Sequence, residues 1–295
     1  MSLTASIDRG VRPGIRVEPA FRTSTLVLTW VLAVVLVGAT VYGLLADGYR
    51  ETPTRELLGA ILRGQDLLTL LTVPVLVGAT VLARRGSLRA HLVSLGVLLY
   101  VPYTYLMYVV VPYNDAFLLY VAAIGLGSYL LLDGLLRIDV VAVEPILADS
   151  PRRGIGWFFI VVGSLFAAAW LAQNLTVIPG GIPEGLFVYD VPSTVHVLDL
   201  AFILPAVIAT GVLLLRRHPA GVVLAIVLLV KMMTLGLALL FMNGGVAVAG
   251  GTVNVAETVT WVTIVGVSTS LLVSPFRRMQ PPPQRWLRPS LWARV

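Results

Sequence analysis

Eight long apolar segments dominate this sequence and restrict what the chain can fold into. An α-helix needs about 20 mostly apolar residues to cross the hydrocarbon core of a bilayer. The sequence therefore predicts an all-α, polytopic membrane helical bundle with eight transmembrane helices. The predicted spans 1 to 8 are, in order, Thr25–Ala46, Leu67–Ala83, Ala90–Val111, Ala116–Leu132, Ile155–Leu175, Val195–Leu215, Gly221–Met242 and Ala256–Val273.

The low charge of the chain supports this fold class and excludes others. Charged residues make up 12% of the sequence, whereas an ordinary soluble domain carries about 25%. A soluble enzyme, a disordered regulator and a nucleic-acid-binding domain are all disfavoured, so we expect the lipid bilayer as a partner and no nucleic acid. The absence of cysteine from the sequence excludes disulfides, thiolate catalysis and cysteine-ligated metals.

The arginines predict how the spans are oriented. Seventeen of the 20 arginines lie before span 1, after span 8, or in the loops between spans 2 and 3, 4 and 5, and 6 and 7. The opposite side of the predicted bundle holds only Arg50, Arg55 and Arg63. By the positive-inside rule, both termini are expected in the cytoplasm of a multi-pass protein of the cell membrane. Anionic lipid of the inner leaflet is a predicted partner of the arginine clusters.

Matching landmarks in the two halves of the chain indicate an internal duplication. They are Asp66, Pro74 and Arg84-Arg85 in the first half, and Asp199, Pro205 and Arg216-Arg217 in the second. A parallel 4+4 repeat would pair spans 1–4 with spans 5–8, which is one of the two symmetries found in transporters. The other interpretation is that apolar helices with basic ends resemble one another without duplication.

The duplication predicts a division of the chain into five parts. These are a cytoplasmic N-terminal segment (1–24), a first four-helix repeat (25–136), a cytoplasmic linker (137–153), a second four-helix repeat (154–275) and a basic, aromatic cytoplasmic tail (276–295). Any solute site shared by the two repeats is expected within the two four-helix parts.

Acidic residues collect near the predicted outer ends of the spans. They are Asp66, Asp115, Asp199 and Glu257, with His196 one turn before Asp199. One interpretation places them around an outward-facing acidic vestibule. The other is that they only stabilise the first turns of helices, where an acid contributes about 0.3–1 kcal/mol. That second interpretation fits Asp199 less well, because this residue lies about 6 Å into span 6 at 1.5 Å per residue.

Lys231 is the most informative residue of the sequence. It is the single lysine and falls in the middle of span 7, where a lysine costs about 2.5–3.5 kcal/mol on insertion scales. Such residues usually face a partner or a cavity. We expect Lys231 to pair with Asp199, with Glu257 as the competing partner. The pair would either serve function or only fix the packing of the helices.

No sequence motif points to a reaction. The chain lacks a G-x-S-x-G elbow, an H-E-x-x-H zinc helix and a G-x-x-x-x-G-K-[ST] phosphate loop. Accordingly we predict no catalytic residue, no metal ligand and no cofactor, and an enzyme is the least favoured of three hypotheses.

Three short segments carry a resemblance to other proteins. Arg63-Gly64-Gln65-Asp66 opens span 2, Arg84-Arg85-Gly86-Ser87 closes it, and Leu228-Leu229-Val230-Lys231 lies in span 7. Together they are similar to a family of prokaryotic polytopic integral membrane proteins with no assigned function. The resemblance implies a membrane protein and brings no substrate, cofactor or mechanism.

Two hypotheses of function follow from the residues. The first is binding or transport of a small solute or ion through the acidic vestibule, coupled to the buried lysine. The second is a non-transporting sensor or assembly module in which the lysine–aspartate pair is structural. The candidate binding or coupling residues are Lys231, Asp199, Glu257, Asp66, Asp115 and His196.

Overall fold

The computed structural model describes residues 23–46, 49, 57–110, 113–175, 187–188, 191–279 and 287. Within these residues, eight helical stretches are long and apolar enough to cross a membrane. The helices are α1 (Thr23–Leu45), α2 (Leu58–Arg84), α3 (Leu88–Tyr108), α4 (Phe117–Arg137), α5 (Val140–Val143), α6 (Arg152–Leu175), α7 (Thr194–Leu198), α8 (Leu204–Leu215), α9 (Pro219–Val248) and α10 (Val255–Arg278). The prediction of a multi-pass helical membrane protein is thereby confirmed.

Three short elements complete the described structure. A 3₁₀-helix, Glu144–Leu147, follows α5, and a two-stranded hairpin pairs β1 (Phe187–Val188) with β2 (Val191–Pro192). Residues 1–22 of the predicted N-terminal segment lie outside the described residues, as do residues 280–286 and 288–295 of the predicted tail. Leu287 forms an isolated antiparallel bridge with Ile138, so the tail passes the end of α4.

α2 begins nine residues before the start that the sequence predicts for span 2. The apolar run begins at Leu67, but the helix starts at Leu58. It therefore takes Asp66 into its third turn, where the side chain is 1% exposed. The expectation that Asp66 stands at the mouth of a span is corrected, because contacts with neighbouring helices keep this polar stretch helical.

The sixth span is an α-helix interrupted by one π-helical turn. α7 passes at Asp199–Ile203 into a π-helix, which continues into α8. Pro205 has no backbone N–H and cannot close the usual bond to the carbonyl four residues earlier. The N–H of Leu204 bonds to the carbonyl of Asp199 instead, so Asp199 lies on a widened turn, a feature often found at functional sites.

α9 lies at the centre of the bundle, in contact with α2, α3, α8 and α10. Glycines allow its closest approaches, since a Cβ added at Gly64 would overlap the carbonyl of Phe241 and one at Gly245 would overlap that of Ala60. A Cβ at Gly96 of α3 would likewise overlap Val230 of α9. Small residues commonly let transmembrane helices pack this closely.

The two halves use the same pairings of neighbouring helices. α1 packs on α2, α2 on α3 and α3 on α4 in the first half, while α6 packs on α8, α8 on α9 and α9 on α10 in the second. The turns after α2 and α8 also match, because Gly86 and Arg217 both have positive φ, at 94° and 55°. A duplication would produce these parallels, and the repeat itself stays a prediction.

The close approach of α2 and α9 generates a first prediction. Gly245→Ala should cost roughly 1–3 kcal/mol of stability, because the added methyl meets backbone atoms that have no rotamer to change. Thermal unfolding followed by tryptophan fluorescence measures the change. Gly244→Ala is the matched control, since its Cβ would meet nothing within 4 Å. Equal melting temperatures for the two variants would contradict the packing described here.

Candidate functional site

Lys231 is buried in the interior of the bundle. Its side chain is 1% exposed, and Nζ has no hydrogen-bond partner among the described residues. Nζ lies 3.6 Å from the centre of the Tyr103 ring. The negative face of an aromatic ring attracts a cation by about 2 kcal/mol or more once both are desolvated. The ring is thus the group that receives the ammonium.

Tyr103 joins Lys231 to Asp199. Its hydroxyl donates a hydrogen bond of 3.0 Å to Asp199 Oδ1, and the indole N–H of Trp170 donates one of 2.9 Å to Oδ2. Asp199 is 7% exposed. The expected lysine–aspartate pair is therefore mediated by an aromatic ring, rather than by a direct hydrogen bond between the charged groups. We call Lys231, Tyr103, Asp199 and Trp170 the lysine–aspartate cluster.

His196 borders this cluster from the start of α7. Its ring is buried and its centre lies 4.3 Å from that of Trp170. Its Nδ1 is 3.1 Å from the side-chain nitrogen of Asn174. The sequence spacing placed His196 on the same helix face as Asp199, and in the structure Trp170 packs on His196 and hydrogen-bonds to Asp199.

Asp66 belongs to a second, separate group of polar residues. Tyr49 donates to Asp66 Oδ2 at 2.7 Å, and Tyr108 lies 2.9 Å from Oδ1. Burial and, next, the nearby Asp66 carboxylate raise the pKa of Tyr49, so its hydroxyl keeps the proton that it donates. Gln65 and Thr69 bond to the hydroxyl of Tyr100 beside this pair.

Asp115 and Glu257 lie apart from both groups. Both are exposed, and the Glu257 carboxylate accepts a hydrogen bond of 3.3 Å from Trp261 one turn along α10. Asn254 caps the start of α10, where its side-chain oxygen accepts from the N–H of Glu257, and the side-chain oxygen of Asn114 accepts from the N–H of Ala116 just before α4. The described contacts of these acids fit stabilisation of helix ends and do not join Glu257 to Lys231.

A cleft opens beside Asp199 between α6, α8, α9 and α10. Its wall is apolar and aromatic apart from the aspartate, with Phe166, Met232 and Trp261 among its residues. Each carboxylate oxygen has two lone pairs. Asp199 can therefore accept a bond from a solute while it keeps those from Tyr103 and Trp170.

Sequence reasoning missed the two donors that organise Asp199. Tyr103 was noticeable only as one of four tyrosines in span 3, at 100, 103, 105 and 108, and nothing in that spacing shows which of them meets Lys231. Trp170 has no sequence signal, because one tryptophan near the end of a span usually marks the membrane interface.

Within the residues that the structure describes, no three His, Cys, Asp or Glu side chains come together as a metal site. Searches of protein-family models, of curated proteins and of solved structures find no match to this chain. What these residues can do is therefore inferred from the geometry of the two polar groups.

The contact between α1 and Asp66 gives a second prediction. A Cβ at Gly43 would overlap both Asp66 Oδ2 and the Tyr49 hydroxyl. Gly43→Ala should therefore break that hydrogen bond and lower stability by roughly 1–3 kcal/mol, because the buried carboxylate loses a donor. Thermal unfolding in detergent is the measurement.

Gly38→Ala is the control on the same helix, since its Cβ would lie 3.6 Å from Leu119, at ordinary contact distance. This variant should be neutral or slightly stabilising, as alanine favours helix over glycine by about 1 kcal/mol. A Gly43→Ala protein that is as stable as Gly38→Ala would show that Tyr49 and Asp66 do not hold α1 in place.

Proposed function

We propose that the protein binds a small solute at the lysine–aspartate cluster and moves it across the membrane. The observation that carries this proposal is the buried Lys231 ammonium, which has no hydrogen-bond partner among the described residues. A lysine that served packing alone would gain more from a direct carboxylate or carbonyl contact, since the face of Tyr103 compensates only part of the cost of burying an ammonium. A chain that keeps this cost has a use for the charge.

The cleft beside Asp199 supports a particular kind of solute. Its apolar and aromatic wall suits a hydrocarbon body, and Asp199 adds one acidic acceptor. A small amphipathic solute with one amine or hydroxyl group fits both features. Helices of the second half form the wall of this cleft. The π-helical turn at Asp199–Ile203 widens the sixth span next to it.

Coupling would operate through the proton or solute that Asp199 accepts. Neutralising this carboxylate weakens its hold on the hydroxyl of Tyr103, and the ring of Tyr103 contacts Lys231. His196 is a further titratable group beside the cluster, and its ring packs on that of Trp170. Binding of a proton or solute at Asp199 thereby changes the surroundings of Lys231 on α9, the helix that packs against helices of both halves of the bundle.

The arginine distribution supports a proposed orientation in the cell membrane. Arginines at the ends of α2, α4, α8 and α10 and in the sequence before α1 make one side of the bundle strongly basic. The positive-inside rule then places both termini in the cytoplasm and the start of α7 towards the outside. The matched turns at Gly86 and Arg217 support the 4+4 repeat.

A second candidate function, a sensor or assembly module, is favoured by Asp66. This carboxylate is buried and held by tyrosine hydroxyls, so the chain does bury an acid for packing. If Lys231 and Asp199 play the same structural role, no solute is needed to explain them.

Solute-induced thermal stabilisation separates the two candidates. Purified protein is screened against a panel of small amines, alcohols and carboxylic acids, and in parallel with the Lys231→Met variant. We expect an amine or alcohol to raise the melting temperature of the natural protein, by the equivalent of about 2.7 kcal/mol at 100 times Kd, and to have little effect on the variant. Met233→Leu, which keeps the charge and lies outside the residues that line the cleft, should still respond.

The opposite result would be a Lys231→Met protein that is at least as stable as the natural one, with no solute shifting either. Replacing a buried charge by an apolar side chain of similar length often stabilises when the charge is only structural. That outcome would overturn the transport proposal in favour of the module.

A further inference from the structure

A second cleft lies at the end of the bundle where α6 begins and α8 ends. Its wall includes Ser150, Arg152, Arg153, Arg217 and Glu144. Three guanidinium groups stand against one carboxylate, so the cleft is electropositive. It is separate from the lysine–aspartate cluster and shares no residue with it.

Two of the three arginines in this cleft have side chains with no partner among the described residues. Arg152 contacts Glu144 at 3.5 Å and donates to the carbonyl of Arg217 at 3.4 Å. Arg153 and Arg217 are exposed, and their side chains make no hydrogen bond or ion pair with any residue that the structure describes. A guanidinium presents five N–H donors in a planar fork that matches the oxygens of a phosphate.

Ser150 is an independent sign that the cleft takes a ligand. The residue is 9% exposed, and its buried hydroxyl has no partner among the described residues. A buried hydroxyl without a partner costs roughly 1–3 kcal/mol. Because the oxygen itself is buried, an anion oxygen in the cleft would satisfy this hydroxyl after the side chain rotates towards the cleft. Ser150 also lies two residues before α6, a 24-residue helix whose first-turn N–H groups favour an anion.

The backbone of Arg217 indicates that its side chain is kept at a cost. Its φ of 55° is in the left-handed region, where a residue with a Cβ loses roughly 1–2 kcal/mol relative to glycine. The turn after α2 fills the corresponding place with glycine, Gly86. At the end of α8 the chain instead has an arginine that faces this cleft.

We propose that this cleft binds a phosphate group of an anionic ligand, held by Arg152, Arg153, Arg217, Ser150 and the start of α6. The phosphate belongs either to the headgroup of an anionic phospholipid or to a free phosphate from the aqueous phase. Glu144, 3.5 Å from Arg152, orients that guanidinium.

The test is a titration of the full-length protein in neutral detergent with two probes. One probe is dioleoyl phosphatidylglycerol in mixed micelles, with phosphatidylcholine as the uncharged reference, and the other is inorganic phosphate. We expect an anionic probe to raise the melting temperature of the natural protein. A response to phosphatidylglycerol alone assigns the site to lipid, and an equal response to inorganic phosphate assigns it to the free anion.

Three variants distinguish a built site from diffuse attraction. Arg217→Gln and Ser150→Ala should weaken the response at least fivefold, whereas Arg216→Gln should leave it unchanged, because Arg216 carries the same charge but does not line the cleft. Arg217→Gly should also lose the response while unfolding at the same or a higher temperature, which shows that the loss is not a folding defect.

Two results would overturn the proposal. One is the absence of any shift with either probe in the natural protein. The other is an equal loss in Arg216→Gln and Arg217→Gln, since this would mean that net charge near the membrane surface explains the response. The outcome is independent of the solute screen, because the variants and the probes act at a different end of the bundle.

Discussion

The contact between the Lys231 ammonium and the face of Tyr103 fixes how three helices meet inside the bundle. α9 carries the ammonium, α3 carries the ring, and the π-helical turn carries the Asp199 carboxylate that accepts the hydroxyl of that ring. Hydrocarbon cannot solvate an ammonium, and the ring compensates only part of what water would supply. The three groups are therefore interdependent, and a change in the charge of any one alters what the other two must satisfy.

This arrangement depends on glycines that lie elsewhere on the same helices. Lysine side chains near lipid extend along the helix until the charge reaches the interface. The side chain of Lys231 stays in the interior, because α2 and α3 pack closely on α9. Gly64 of α2 and Gly245 of α9 bring those two backbones together, and Gly96 of α3 contacts Val230 of α9. Close packing by small residues thus keeps the ammonium in the interior, next to Tyr103. Residues with no chemistry of their own determine where the charged group lies.

Much of the fold was predictable from the sequence, because hydrophobic length is a direct consequence of bilayer thickness. Burial of Lys231 and Asp199 was also predictable, since each stands inside an apolar run. The start of α2 was not, because its first nine residues become helical through tertiary contacts that local hydropathy does not encode. The role of Tyr103 was not predictable, because sequence periodicity indicates the helix face on which a residue lies and does not indicate which neighbouring helix that face contacts. Asp115 and Glu257 resemble the buried acids in sequence position and differ only in what packs around them.

Asp66 and Asp199, which the predicted repeat would pair, show how the surroundings of a buried carboxylate decide its role. Tyr49 and Tyr108 surround Asp66 with neutral donors. Gly43 packs so closely on this carboxylate that even an added Cβ would overlap it, which leaves no space for a ligand. Lys231 contacts the ring of Tyr103, one of the two donors to Asp199, and His196 packs on Trp170, the other donor. A cleft opens beside the Asp199 carboxylate. A carboxylate that accepts from two hydroxyls and has no free space beside it stabilises a fold. The same group beside Lys231 and an apolar cleft has space for a further donor, so the proposed solute would bind in the second half.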